Sequence, residues 1–157
     1  MKIVIMRGIP GSGKSTEVER LSIESHLNGM DMYVFSADYY FSRSGAYVFD
    51  GTKLGLAHGQ CLRGFATALT HVHDADTLIV VDNTNLTVAD MNVYVMLAQA
   101  YGVPFEIRTL LCDPALAAAR NRHGVPTHKV WDMHRRLVAA QIPKGWPQLV
   151  ISAPVGT

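Results

Sequence analysis

The segment "GIPGSGKST" (8–16) places three glycines, a lysine and three hydroxyl side chains at the spacing of a phosphate-binding loop. It matches the pattern G-x-x-x-x-G-K-[ST] in full. Glycine backbones can wrap an anion with their N–H groups pointing inward, and a following helix adds the positive end of its dipole. A glycine turn with a surface lysine is the alternative. The predicted nucleotide-binding residues are Gly8, Pro10, Gly11, Ser12, Gly13, Lys14, Ser15 and Thr16.

The polar side chains of this loop have separate predicted roles. Lys14 is expected to reach the β- and γ-phosphates, and Thr16 to contact the α-phosphate. Ser15 is expected to bind Mg²⁺ through its hydroxyl, together with Asp82, which follows a hydrophobic strand in "LIVVDNTN" (78–85). An Asx turn or a helix entry is the alternative for Asp82, a role that the asparagines of "DNTN" could equally fill. The pattern implies ATP, or another nucleoside triphosphate, and Mg²⁺.

Asp38 lies in "FSADYYF" (35–41), directly after an apolar run, and has no basic residue within four positions on either side. A carboxylate without a salt-bridge partner in sequence can accept a proton from a reacting hydroxyl group. The alternative is an N-cap for a helix over 39–43. Because Asp38, Asp82 and Asp113 each follow a predicted strand, and ligands bind at the carboxyl ends of parallel strands, Asp38 is expected to face a ligand crevice.

The segment "AAARNRHGVP" (117–126) places Arg120 and Arg122 at the end of a short predicted helix, before a glycine–proline loop. Guanidinium groups match phosphate oxygens, so this pattern favours a lid, at about 114–127, that neutralises charge on a transferring phosphoryl group. Exposed arginines without a ligand are the alternative. Residues 114–157 carry six basic side chains against one acidic, whereas 1–113 carry eight against twelve, and the basic third suits an anionic ligand.

Apolar runs alternate with helical patterns along the chain, which predicts an α/β protein of the P-loop NTPase or kinase type. Its parallel five-stranded sheet has helices on both faces and an arginine-bearing lid. One face of the long helix is predicted to carry Leu54, Ala57, Cys61, Phe65, Ala68 and Leu69. The predicted strands are 2–6, 32–35, 77–81, 105–111 and 148–152. The predicted helices are 14–27, 53–72, 88–101 capped by Thr87, a short one opening at Pro114, and 127–140.

Composition adds class-level expectations. Of the 157 residues, 48% are hydrophobic and 17% charged, which predicts one globular domain over 1–157 rather than a disordered chain. No apolar run approaches a membrane span, and a cytoplasmic protein with two reduced, buried thiols, Cys61 and Cys112, is expected. The histidines of "HVHD" (71–74) precede a predicted loop and are expected to lie on the surface.

Four segments together resemble the polynucleotide kinase family, both the kinase half of phage RNA-repair enzymes and, more closely, the NEDD-binding-protein type of P-loop kinase-like domain. The segments are "DYYF" (38–41), "AHGQC" (57–61), "DNTN" (82–85) and "RNRHGVP" (120–126). The resemblance covers about residues 3–140. "GIPGSGKST" is generic, whereas "DNTN" with "RNRHGVP" is the specific part.

The resemblance implies an ATP-dependent kinase of a nucleic-acid 5′-hydroxyl, with Asp38 as general base beside Lys14, Arg120 and Arg122. Phage polynucleotide kinases place an arginine three residues after the base, where this chain has Phe41; Arg43 is out of register. The acceptor is therefore a nucleic-acid end stacked on Tyr39, Tyr40 or Phe41, or a different hydroxyl on a nucleoside, a modified DNA base or a small metabolite. A non-catalytic nucleotide-binding module is a further alternative, and the absence of an Asn-Lys-x-Asp motif disfavours a GTPase.

Overall fold

Five parallel strands form a single sheet in the computed structural model, which describes residues 1–42, 45–71 and 75–152. The strands are β1 (Lys2–Arg7), β2 (Asp31–Phe35), β3 (Thr77–Val81), β4 (Phe105–Leu111) and β5 (Gln148–Ser152), in the spatial order β2-β3-β1-β4-β5. All four pairings are parallel. The predicted five-stranded parallel sheet is therefore confirmed, and each predicted strand lies within about one residue of its observed bounds.

Six α-helices connect the strands within the described ranges. They are α1 (Lys14–Leu27), α2 (Asp38–Phe41), α3 (Leu54–His71), α4 (Val88–Ala100), α5 (Pro114–Arg120) and α6 (Thr127–Ala139). Thr87 caps α4 as expected, through a reciprocal capping box with Asp90. The short helix α2 includes Asp38 as its first residue, whereas the alternative considered from the sequence placed a helix over 39–43 with Asp38 as its N-cap.

The sheet is buried on both faces, because β1 and β3 carry runs of β-branched and long aliphatic residues. On one face, Ile3, Ile5 and Ile79 pack with Phe65 of α3 and Tyr94 of α4. The other face packs against Leu21 of α1 through a second cluster, which contains Val4, Met6, Leu78, Val80 and Leu110. Leu54 departs from the predicted buried face of α3: it begins the helix and is 41% exposed.

Two buried arginines join the helices to the sheet. Arg7, at the end of β1, donates to the carbonyl oxygens of Leu86 and of Leu137 in α6. Arg108 of β4 pairs with Glu17 of α1 at 2.7 Å, and both side chains are less than a tenth exposed. These contacts fix α1 and α6 relative to the strand ends that carry the polar residues described below.

Both cysteines are free and buried, as expected from the sequence. Within the described ranges, no helix is both long and apolar enough to cross a bilayer. His71 is exposed at the end of α3, whereas the rest of "HVHD" and Arg43 lie outside the described residues.

Candidate active site

The phosphate-binding loop lies between β1 and α1, and two of its glycines are required by its shape. Gly13 has φ 98° and Gly11 has φ 79°, a region that side-chain-bearing residues rarely adopt. A Cβ atom on Gly11 would also lie 2.0 Å from the carbonyl oxygen of Ala117 in α5. The loop therefore packs directly on the helix that carries Arg120.

A crevice of about 850 Å³ opens above this loop, at the carboxyl ends of the strands. Its lining brings together most of the side chains to which the sequence assigned chemistry. They are Lys14, Ser15, Thr16, Asp38, Asp82, Arg120 and Arg122, joined by Pro10, Gly11 and Gly13 of the loop. Gly8 and Ser12 of the loop are buried and do not line the crevice.

Lys14 lies at the floor of the crevice. Its Nζ donates to the carbonyl oxygens of Gly8 and Ile9, each at 3.0 Å. Burial lowers the pKa of Lys14, and the negative charges of Asp82 and Asp38 oppose that shift. The two carboxylates therefore stabilise the charged form of the Lys14 ammonium group.

Asp82 is half-buried and directly follows β3. Burial raises the pKa of its carboxyl group, the positive charge of Lys14 opposes the rise, and Asp38 adds to it. A divalent cation beside this carboxylate would offset its desolvation. The exposed Ser15 hydroxyl lines the same crevice, and no group of three His, Cys, Asp or Glu side chains suited to a metal occurs among the described residues. The donor set fits Mg²⁺ held mainly by phosphate oxygens and water.

The asparagines after Asp82 bind the two elements on either side of them. Asn83 Oδ1 accepts a 2.9 Å hydrogen bond from the backbone N–H of Ala37, the residue before Asp38. Asn85, at φ 45°, donates through Nδ2 to the carbonyl oxygen of Met6 at 2.7 Å. The backbone N–H of Gly8 also donates to the carbonyl oxygen of Thr84. The segment "DNTN" therefore fixes both α2 and the start of the phosphate-binding loop.

Asp38 does not cap a helix. It is the first residue of α2, whose N-cap position is Ala37, and no side chain caps that helix. The carboxylate is half exposed and points into the crevice. Tyr47 donates to its Oδ1 at 3.2 Å, and Nε2 of His123 lies 4.0 Å from its Oδ2. The alternative role as an N-cap is therefore wrong. Asp113, by contrast, does cap a helix, because its Oδ1 accepts from the N–H groups of Ala115 and Leu116 at the start of α5.

The lid segment begins at Arg120, where α5 ends, and continues through a loop that Asn121 braces. Asn121 donates through Nδ2 to the carbonyl oxygen of Val125 and accepts from the N–H of His123. Arg120 and Arg122 are both exposed, and both line the crevice. The imidazole of His123 contacts the Tyr47 ring, with 4.9 Å between ring centres.

The three predicted acceptor-binding aromatics separate in the structure. Tyr39 is 55% exposed and Tyr40 is half-buried. Phe41 is only 5% exposed and packs against Ala37, Ala57 and the ring of Phe49, 5.2 Å away between centres. The expectation that an acceptor stacks on Phe41 is therefore wrong, because the residues of a small apolar cluster cover that ring.

Tyr47 contacts two crevice residues, Asp38 and His123, and was not predicted from the sequence. It lies in an irregular segment between α2 and the 3₁₀ turn Gly51–Lys53, where no periodicity indicates which side chains face inward. Burial, then the charge of Asp38 and the hydrogen bond to it, raises the pKa of Tyr47 to about 12. The phenol therefore remains a hydrogen-bond donor throughout the neutral range. An aromatic pattern at 47 and 49 close to "DYYF" is the signal that was available.

Comparison of the sequence with known proteins gives two results. The sequence pattern of the AAA domain family matches residues 3–141. Human NEDD4-binding protein 2 is 32% identical, over 89% of this chain and only 8% of its own length, so the chain spans less than a tenth of that relative.

Two solved structures share the fold. APS kinase CysC of Mycobacterium tuberculosis, in complex with AMPPNP and APS, has a TM-score of 0.64 at 17% identity, covering 99% of this chain and 90% of its own. Kti12 of Chaetomium thermophilum, in complex with ADP-AlF3, has a TM-score of 0.65 at 14% identity, covering 97% and 89%. These likenesses support the kinase-like α/β architecture.

Proposed function

The chain belongs to the AAA domain family, and from this membership and the crevice we propose that it is an ATP-dependent kinase of a nucleic-acid 5′-hydroxyl. The observation that carries the proposal is the position of Asp38. Its carboxylate lines the same crevice as the phosphate-binding loop, Asp82 and the two lid arginines. A base facing the donor phosphates is what transfer to a hydroxyl requires, and simple nucleotide binding does not require it.

In the proposed reaction, the acceptor oxygen forms a bond to the γ-phosphorus as the bond from that phosphorus to the β,γ-bridging oxygen breaks. The hydroxyl proton passes to the carboxylate of Asp38, and ADP leaves. Lys14 and the loop N–H groups hold the donor phosphates, and Arg120 and Arg122 neutralise the charge that develops on the transferring group. Mg²⁺, when held by Ser15 and Asp82, would screen the β- and γ-phosphates.

The comparisons support the donor half of this reaction more directly than the acceptor half. Two of the similar structures, APS kinase CysC and Kti12, were solved with a nucleotide or a nucleotide analogue bound, as their names state. The resemblance of "DNTN" and "RNRHGVP" to polynucleotide kinases supports the acceptor. The Phe41 side chain argues for a second candidate, a kinase of another hydroxyl, because a buried phenyl ring cannot hold an acceptor phosphate as an arginine can.

An acceptor screen tests the proposal. The purified chain is incubated with γ-labelled ATP, Mg²⁺ and either 5′-hydroxyl RNA, 5′-hydroxyl DNA, the same oligonucleotides carrying a 5′-phosphate, or free nucleosides. We expect label on the 5′-hydroxyl oligonucleotides and none on the 5′-phosphorylated controls. Label on nucleosides alone would favour the second candidate, and ATP binding without transfer to any acceptor would favour a binding module.

A pair of lysine variants separates this activity from a contaminant. Lys14→Ala should abolish transfer, whereas Lys129→Ala, an exposed lysine of α6 outside the crevice, should transfer at the wild-type rate. Transfer by Lys14→Ala within about threefold of wild type would contradict the donor assignment, since the P-loop lysine contacts the transferring phosphate.

A further inference from the structure

A second cleft, of about 290 Å³, lies between α2 and α3, beside the crevice. This volume is at the small end of ligand-binding cavities and suits one planar ring system rather than a whole nucleotide. Its walls come from the end of β2, from both tyrosines of "DYYF" and from one face of α3. The lining residues that bear on the argument are Phe35, Tyr39, Tyr40, Cys61, Arg63 and Thr67.

The second cleft and the crevice share a thin wall. Asp38 lines the crevice and Tyr39, the next residue, lines the second cleft. Asn83 lines the crevice and donates through Nδ2 to Sγ of Cys61, which lines the cleft, at 3.4 Å. Burial raises the pKa of Tyr39, and the charges of Asp82 and then Cys61 add to the rise, which is consistent with a phenol standing between the two spaces.

The chemistry of the cleft walls matches a nucleobase. Three aromatic rings, those of Phe35, Tyr39 and Tyr40, offer surfaces on which a flat heterocycle stacks. Thr67, an exposed side chain on the cleft wall, supplies a hydroxyl group for the edge of a base.

Arg63 adds a cation to this cleft. Its side chain is exposed, and it forms no ion pair with any residue that the structure describes. A guanidinium group so placed suits a phosphate group, because its planar fork matches two phosphate oxygens. A ring-binding cleft with a phosphate-binding cation at its side has the features that a nucleotide unit within a strand requires.

We propose that this second cleft binds the base of the acceptor's 5′-terminal nucleotide, with Arg63 at the phosphate on that nucleotide's 3′ side. The inference rests on the proposed kinase function and extends it by naming a base-binding site. The terminal base stacks on Tyr39, and its sugar lies across the shared wall, with the 5′-hydroxyl at Asp38. The site accepts any base, because stacking does not depend on the identity of the base.

The test compares two 5′-hydroxyl oligonucleotides that differ only in their first residue, which carries a base in one and is an abasic analogue in the other. We expect wild type to phosphorylate both, with a KM about 5- to 100-fold lower for the acceptor with the base, the range that stacking of one base provides. Tyr39→Ala should have the same high KM for both acceptors and an unchanged KM for ATP. Tyr101→Ala is the control, because Tyr101 is similarly exposed and lines neither cleft.

Binding without turnover gives an independent readout. An oligonucleotide with 2-aminopurine as its first base should lose fluorescence when wild type or Tyr101→Ala binds it, since stacking quenches this base, and should keep it with Tyr39→Ala. Arg63→Gln should weaken binding of the acceptor with the base and of the abasic acceptor by the same factor. The slope of the logarithm of the binding constant against the logarithm of the salt concentration should fall by about one unit.

The outcomes separate this inference from the proposed function. If wild type phosphorylates the two acceptors with equal KM, or if Tyr39→Ala still discriminates between them, the base-binding cleft is wrong although the kinase is right. If wild type phosphorylates neither acceptor but does phosphorylate another hydroxyl, the nucleic-acid acceptor is wrong and the cleft assignment fails with it. An unchanged salt dependence in Arg63→Gln would remove the phosphate contact from the proposal.

Discussion

The hydroxyl of Tyr47 donates a 3.2 Å hydrogen bond to Oδ1 of Asp38, from a loop nine residues further along the chain. The Tyr47 ring also contacts the imidazole of His123, so the side chain lies between the proposed base and the lid. The hydrogen bond restricts the rotation of a half-exposed carboxylate that pairs with no lysine or arginine among residues 1–42, 45–71 and 75–152. From this hydrogen bond we infer that Tyr47 orients the carboxylate of Asp38.

The Tyr47→Phe variant tests this positioning. Removing one hydrogen bond to a charged group should lower kcat about 3- to 10-fold, equivalent to about 1 kcal/mol, and leave the KM for ATP unchanged. Tyr33→Phe, on an exposed tyrosine of β2, is the matched control. An unchanged kcat in Tyr47→Phe would mean that the carboxylate is oriented without the phenol.

Asp38→Asn should lower transfer by about 10²- to 10⁴-fold, the usual contribution of a positioned general base. Stability and ATP binding should stay at wild-type values, because the amide is nearly isosteric and the side chain caps no helix. Single-turnover transfer and ATP titration measure the two effects. An Asp38→Asn protein with normal activity and normal pH dependence would show that the base lies elsewhere.

Arg120→Ala and Arg122→Ala should each lower kcat by about 10²- to 10³-fold if the guanidinium groups stabilise charge in the transition state. Neither change should alter the melting temperature, since both side chains are exposed. Arg136→Ala, on an exposed arginine of α6 outside the crevice, serves as the charge-matched control. A variant that raises only the KM for ATP would assign its arginine to ground-state binding instead.

Phe41→Ala should reduce the free energy of unfolding by about 3 kcal/mol, because it removes the one buried ring of a small apolar cluster formed with Ala37 and Ala57. Chemical denaturation measures this loss. Tyr39→Ala is the comparison, because a largely exposed ring should change stability by no more than about 0.5 kcal/mol. A Phe41→Ala protein that is fully stable yet binds acceptor weakly would restore the stacking role that burial argues against.

Glu17 gives a pH-dependent prediction for stability. Its hydrogen bond to Arg20, and then that to Arg108, hold the pKa of Glu17 below its usual value. A carboxyl group whose pKa is lower in the folded state stabilises the protein fully above its unfolded-state pKa, near 4.3. It loses that contribution as the pH falls through the lower folded value.

The Glu17→Gln variant isolates this contribution. At pH 7 the variant should be less stable than wild type by about 1.5–3 kcal/mol, the range for hydrogen bonds to charged groups. The difference should shrink as the pH falls from about 5 to 3, which melting curves across that range would measure. Glu24→Gln, on the exposed carboxylate that also pairs with Arg20, is the control. A constant difference across the pH range would contradict the linkage.

The sequence predicted the sheet and the position of the phosphate-binding loop well, for a physical reason. Strands such as "TLIVV" are buried on both faces, so their apolar runs are unmistakable, and the phosphate-binding loop depends on local backbone geometry that glycine spacing encodes. The acceptor side depends on contacts between distant segments. Whether Phe41 or Tyr39 is buried is decided by where Phe49 and Ala57 pack, and no local pattern contains that information.

The roles of the three aspartates that follow strands could not be distinguished from their positions after those strands alone. Asp38, Asp82 and Asp113 share one sequence signature, a carboxylate after a strand, but their roles differ. Asp113 precedes a proline that begins α5, so its side chain caps the helix, whereas Asp38 enters a helix one residue too late to cap it. "Pro after Asp" was the available local signal.

The two asparagines of "DNTN" make hydrogen bonds that fix the position of Asp38 relative to the phosphate-binding loop. Asn83 bonds to the backbone beside Asp38, and Asn85 bonds to the backbone of Met6, two residues before Gly8. The segment "DNTN" therefore sets the distance between Asp38 and the phosphate-binding loop. Arg122 lies in the loop after α5, which neither asparagine contacts. If Asp38 is the base proposed above, a movement of that loop would change the positive potential over the crevice. The two asparagine bonds would meanwhile keep the distance between Asp38 and the phosphate-binding loop constant.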